Sequence, residues 1–133
     1  MGNVQVLITG SNGLLGQKLV NECRKNNISF LATSKGINRN PDCPENSYVS
    51  LDITKEPEVK SLVEKYRPEV IINTAAMTNV DGCEDHKDLC ELLNVTAVGH
   101  LKSAAKEAGA HLIHFSTDFI FDGEQGNYSE EDI

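Results

Sequence analysis

The sequence predicts an α/β fold: a doubly wound parallel sheet of about five strands in the order 3-2-1-4-5, with helices on both faces. Three observations predict it. Short apolar runs alternate with segments whose apolar residues recur at helical spacing, which implies right-handed crossovers. A glycine-rich turn separates the first run from the first helical segment. The fourth run is apolar at consecutive positions, as a strand covered on both faces requires.

The elements follow in order. Residues 4–9 (VQVLIT) form a β-branched strand, after which Leu15, Leu19, Val20 and Cys23 mark a helix that Asn26 and Asn27 stop. Residues 28–33 predict the second strand, and residues 35–46, with Gly36, Pro41 and Pro44, a loop. Residues 48–51 are the third strand. Val59, Leu62, Val63 and Tyr66 then mark a helix whose first turn tolerates Pro57. Residues 69–74 (EVIINT) are the fourth strand. Asp81 and Glu84 resemble a capping box, and Leu89, Leu92, Leu93, Leu101, Ala104, Ala105 and Ala108 carry one long helix to a stop at Gly109. Residues 112–116 (LIHFS) are the fifth strand.

A chain of 133 residues is one domain, and 39% apolar residues suffice for a core. Twelve Lys and Arg against 20 Asp and Glu give a net charge of −8, whose field repels phosphate backbones and anionic lipid. Nucleic acid and membrane are therefore not expected as partners. No apolar run approaches the ~18 residues of a spanning helix, and the first residues lack a signal peptide's charged head, so a cytoplasmic location is expected. Cys23, Cys43, Cys83 and Cys90 form no C-x-x-C pair and are expected as free thiols.

The turn Gly10-Ser11-Asn12-Gly13-Leu14-Leu15-Gly16 sits where backbone N–H groups and a helix dipole can meet a pyrophosphate. Its Gly-x-x-Gly-x-x-Gly spacing points to a dinucleotide site of the short-chain dehydrogenase style, on a Rossmann-type domain covering residues 1–121. A nucleoside-triphosphate loop is excluded, because Gln17 stands where Lys is needed. At the end of the second strand, a free ribose 2′-hydroxyl would want Asp or Glu. Ser34, Lys35 and Arg39 stand there instead and suit a 2′-phosphate, so NADP(H) is preferred and NAD(H) is also accommodated. Asp52 can accept from an adenine amino group or cap a helix.

Gly10–Gly16, Asp52-Ile53, Asn73-Thr74-Ala75-Ala76, Asn94-Val95 and Ser116-Thr117-Asp118-Phe119-Ile120-Phe121-Asp122-Gly123 occur in one order. With these residues the chain resembles the dTDP-4-dehydrorhamnose reductase family of extended short-chain dehydrogenases. The resemblance implies hydride transfer from NADPH to the C4 ketone of a nucleotide-linked 4-keto-6-deoxysugar, with the nucleotide-sugar as partner. It further implies that Thr117 hydrogen-bonds the reacting carbonyl as the catalytic residue, and that Asp118 and Phe119, where Tyr is usual, line the sugar. Asn73, Ala75 and Ala76 match the loop against the cofactor ribose, Asn94 an active-site positioning Asn, and Ile53 and Ser116 further cofactor contacts. The family's proton donor, Tyr followed four residues later by Lys, is missing: Tyr48, Tyr66 and Tyr128 have Asp52, Val70 and Asp132 at that offset. The acidic tail, residues 122–133, accordingly reads as leading into an absent catalytic and substrate part. A regulatory reading stays open, since the β subunit of methionine adenosyltransferase also looks like this family and works as a binding partner.

Three further groupings carry less. Cys83, His86 and Cys90 could face one side of the long helix, but no fourth ligand is nearby and no metal is expected. His111 and His114, three apart on a strand, point to opposite faces and are expected to be structural. Asp81, Glu84, Asp85 and Asp88 read as a solvated, dipole-favoured face. The sequence does not fix the oligomeric state and allows a homodimer.

Overall fold

The computed structural model describes residues 2–117 and 120–132. Its five strands, β1 (Val6–Thr9), β2 (Phe30–Ser34), β3 (Tyr48–Ser50), β4 (Val70–Asn73) and β5 (His111–His114), are all parallel in the order β3-β2-β1-β4-β5. This is the predicted doubly wound sheet. Helix α1 (Leu14–Lys25) joins β1 to β2, and α2 (Glu56–Tyr66) joins β3 to β4. The connection from β4 to β5 is built from α3 (Val80–Asp85), α4 (Lys87–Glu91), a π-helical turn (Leu92–Thr96) and α5 (Ala97–Ala108).

Alternate strand residues feed two cores. Leu7, Leu31 and Ile71 pack under α2 and α5 against Val59, Val63, Leu101 and Ala105, all buried. Ile8 and Ala32 face the other way, onto Val20 and Cys23 of α1. Each fully buried Leu, Ile or Val contributes about 1.5–3 kcal/mol of transfer free energy. Among the described residues α1 is the one helix on the second face, seated on β1 and β2, and Ile72 there is half-buried while its register partner Ile113 is exposed.

Four expectations need correction. The long helix is broken: His86 leaves helical geometry at φ −132°, ψ 61°, separating α3 from α4. Seven residues along an unbroken helix would span about 10.5 Å, yet the Cα atoms of Cys83 and Cys90 lie 5.2 Å apart and their sulfurs form a disulfide. Only Cys23 and Cys43 are free thiols, both buried, where desolvation pushes their pKa values up. The Asp81–Glu84 capping box does not form either, because Asn79 caps α3 by accepting from the Gly82 N–H at 3.0 Å. Strand boundaries shift by one or two residues: Ile28 N–H bonds Cys23 O and still belongs to the turn, while β5 starts at His111. Among the described residues no helix is long and apolar enough to cross a membrane.

Candidate functional site

Because all strands run the same way, the loops after β1, β2, β3, β4 and β5 emerge at one edge of the sheet. Sequence dictates the first of these closely. Gly10 has φ +79°, and a Cβ there would lie 2.6 Å from the Ala75 nitrogen. At Gly16 a Cβ would lie 2.1 Å from Gly10 O, so the helix can seat against its own entry turn only with glycine. Gly13 differs. Its φ of −77° is open to any residue, and a Cβ there would meet only Gly10 O, at 3.4 Å.

Gly13 is also the N-cap of α1, without any side-chain cap, and the N–H of Gln17 is the first to bond back, to Gly13 O. The uncapped N-terminus of α1, with the positive end of its dipole, therefore stands beside the cavity that Gly10 and Gly13 line. The donor set fits a diphosphate. Asn12 ties the turn to the neighbouring loop: its backbone N–H donates to Ser34 Oγ at 3.0 Å, its amide donates to Ile37 O, and its Oδ1 accepts from Arg39 N–H.

Two cavities open along this edge and adjoin at Ala76. The first, about 400 Å³, is lined by Gly10, Gly13, Ser34, Lys35, Asp52, Ile53, Ala75 and Ala76 of the predicted set. Asp52 Oδ1 accepts from the amide and hydroxyl of Thr54, at 3.0 and 2.6 Å, and its Oδ2 lies 3.4 Å from Lys35 Nζ. The Thr54 hydroxyl chiefly, with its amide and Lys35, holds Asp52 below the usual carboxylate range against the opposing effect of burial. Asp52 does not cap α2, whose N-cap is Lys55.

The second cavity, about 480 Å³, is lined by Asn94, His114, Ser116 and Thr117 together with Met77, Val80 and Cys83. Asn94 accepts from Met77 N–H at 2.8 Å and donates to Met77 O at 3.0 Å, fixing the loop after β4. It stands on the π-helical turn, a distortion often found at functional sites. The disulfide consumes the sulfurs of Cys83 and Cys90 beside this cavity, so they cannot act as metal ligands.

Other predicted residues fall elsewhere. Ser11 is fully buried, its hydroxyl without a hydrogen-bond partner. Asn73 is fully buried and spends its amide on Thr9, Ala75 and His114. Leu14 and Leu15 are exposed on the first turn of α1, and Arg39 lies exposed on the loop outside both cavities. Asp118 and Phe119 lie outside the described residues. His114, expected from the sequence to be structural, lines the second cavity beside its register partner Asn73, a placement that no local sequence feature signalled. Thr54, Leu89 and Leu93 of the first cavity carried no motif, and Thr74, inside the Asn73–Ala76 motif, was given no role.

The sequence profile of the family described as the RmlD substrate binding domain matches residues 4–133. The chain belongs to that family. Its RmlD-type relatives include a probable low-salt glycan biosynthesis reductase, Agl14, of Haloferax volcanii, 36% identical over 93% of this chain and 40% of that protein. Methionine adenosyltransferase 2 subunit beta of Bos taurus is 36% identical over 98% of the chain and 37% of its own length. Among solved structures, dTDP-4-dehydrorhamnose reductase from Bacillus anthracis in complex with NADP superposes with a TM-score of 0.79 at 31% identity, over 93% of this chain and 40% of that one. The chain thus spans about two-fifths of the length of the relatives it matches.

Proposed function

We propose that this chain is the NADP(H)-binding portion of a nucleotide-sugar reductase that acts on the C4 ketone of a dTDP-4-keto-6-deoxysugar. One observation carries the reading: two adjoining cavities with the uncapped glycine turn in the first and Thr117 in the second. Family membership and the NADP complex of the Bacillus anthracis relative support it. A nicotinamide bound here would supply or accept a hydride.

In this reading the chain's own groups bind and orient. The free N–H groups after Gly13 hold the diphosphate, Ser34 and Lys35 take the 2′-phosphate, and the apolar wall of Leu51, Ile53 and Leu89 excludes water from the adenosine. Thr117 places a hydroxyl at the second cavity, where the carbonyl to be reduced would lie. Asn94 keeps the Met77 loop in place between the two.

Calorimetric titration of the chain with NADPH and NADH tests the proposal. NADPH binding tighter than NADH is expected, with the difference shrinking in Lys35→Ala. No binding of either at millimolar concentration overturns the cofactor reading, and tighter NADH overturns the role of Lys35.

The similarity to methionine adenosyltransferase 2 subunit beta favours a second reading, a non-catalytic regulatory subunit. It predicts cofactor binding and a partner enzyme without sugar reduction.

A further inference from the structure

The fully buried Asn73 lies at the centre of a hydrogen-bond chain that crosses the sheet from β1 to β5. Its Oδ1 accepts from the Thr9 hydroxyl at 2.6 Å and from the Ala75 backbone N–H at 3.1 Å. A backbone N–H can only donate, so the oxygen must face Ala75 and the NH₂ group must face the other way. On that other side Asn73 Nδ2 lies 3.1 Å from His114 Nδ1.

An amide NH₂ has no acceptor capacity, so Nδ1 of His114 must carry the lone pair and the ring proton must sit on Nε2. The Thr9 hydroxyl completes the logic from the far end. Having donated to Asn73 Oδ1, it leaves the amide no reason to flip.

His114 lines the cavity that holds Thr117 and Ser116, and among the described residues its Nε2 has no partner. Met77, Val80 and Phe115 give the cavity an apolar wall, and Thr78, Asn94 and the carboxylate of Glu84 also line it. A neutral N–H in such surroundings suits an uncharged oxygen acceptor, since an anion would be left poorly compensated.

We propose that His114 is a ligand-binding residue, fixed by Asn73 as the Nε2-protonated tautomer so that it donates to a carbonyl oxygen of the bound ligand. Asn73 is then a positioning residue that acts through His114 and Ala75. The proposal rests on the nicotinamide reading above, which offers two carbonyl sources, the cofactor carboxamide and the sugar ketone.

The test uses the whole chain. Long-range nitrogen–proton NMR of the imidazoles is expected to give His114 the Nε2-protonated pattern, and Asn73→Ala is expected to lose it in favour of a mixture. His114→Phe keeps an exposed ring and should fold. If the carboxamide is the acceptor, His114→Phe should bind NADPH about three- to tenfold more weakly and 2′-phospho-ADP-ribose unchanged. If the ketone is the acceptor, NADPH binding stays the same and binding of a dTDP-4-keto-6-deoxysugar to the NADP⁺-loaded chain weakens by the same factor.

Equal affinity of variant and parent for all three ligands overturns the proposal, as does a His114 found protonated on Nδ1. Failure of the parent chain to bind NADPH at all would instead defeat the cofactor reading, with the tautomer measurement still standing.

Discussion

Gly16→Ala introduces a Cβ 2.1 Å from Gly10 O and 2.7 Å from Ser11 Cα, both main-chain atoms that cannot swing aside. Overpacking of this kind costs about 1–3 kcal/mol, and a backbone clash this close belongs at the upper end. Alanine's better helix propensity returns about 1 kcal/mol, leaving a net loss of about 2 kcal/mol or more. At roughly 2.1 cal/mol/K per residue over 133 residues, the unfolding entropy is about 0.28 kcal/mol/K, so each kcal/mol moves Tm by about 3.6 °C. Gly16→Ala should therefore melt about 7 °C or more below the parent. Gly13→Ala should behave differently, because its Cβ meets only Gly10 O at 3.4 Å and its φ suits alanine. Loss of glycine at an N-cap costs under about 1 kcal/mol, or less than about 4 °C. If the turn holds the diphosphate as proposed, its Cβ at the edge of the first cavity should weaken NADPH at least about tenfold, or 1.4 kcal/mol. Differential scanning calorimetry and titration calorimetry on the pair check both halves. A Gly13→Ala chain that binds NADPH like the parent, or a Gly16→Ala chain with the parent's Tm, would refute the separation of packing glycine from binding glycine.

Asp52 is held below its ordinary pKa, chiefly by the Thr54 hydroxyl, so folding favours its charged form. Its stabilisation should be complete above the unfolded value of about 3.9 and fade as pH falls through the lower folded value. Urea midpoints of the parent and Asp52→Asn, compared from pH 6 down to pH 2, should converge in acid. Leu101→Ala empties a fully buried position between α5 and the sheet and should cost about 2–5 kcal/mol in urea unfolding with an unchanged m-value. Alkylation in denaturant should label Cys23 and Cys43 alone before reduction, and all 4 cysteines after it, as read by mass. Labelling of all of them without reductant would remove the Cys83–Cys90 bridge.

Strand order and the glycine turn were legible because each rests on local chemistry: apolar runs, helical spacing, and a turn whose glycines have steric reasons. The Gly10 and Gly16 contacts show how local those reasons are, since the clashing atoms belong to the turn itself or to the loop beside it. The break at His86 was illegible. Asp81 and Glu84 before it read as a helix start and Leu89, Leu92 and Leu93 after it continue at helical spacing, so only the tertiary closure of Cys83 on Cys90 reveals the change of direction. Asn73 was read as part of the loop against the cofactor ribose, whereas in the structure it ends β4 and is fully buried. Its neighbours Thr9 and His114 are 64 and 41 residues away, a distance across which sequence spacing carries no signal. Lys35 lines the first cavity, whereas Arg39, equally basic in sequence, lies outside it with its main-chain N–H donating to Asn12 Oδ1.

The paired bonds between Asn94 and the main chain of Met77 have an evolutionary consequence. One carboxamide acts as a surrogate strand, satisfying both polar groups of a peptide unit that has no ladder to join. Its neighbours in that crossover are thereby relieved of holding the path. Thr78 and Val80 can drift to reshape the wall of the second cavity, while Asn94 itself can be exchanged only at the expense of the connection's course.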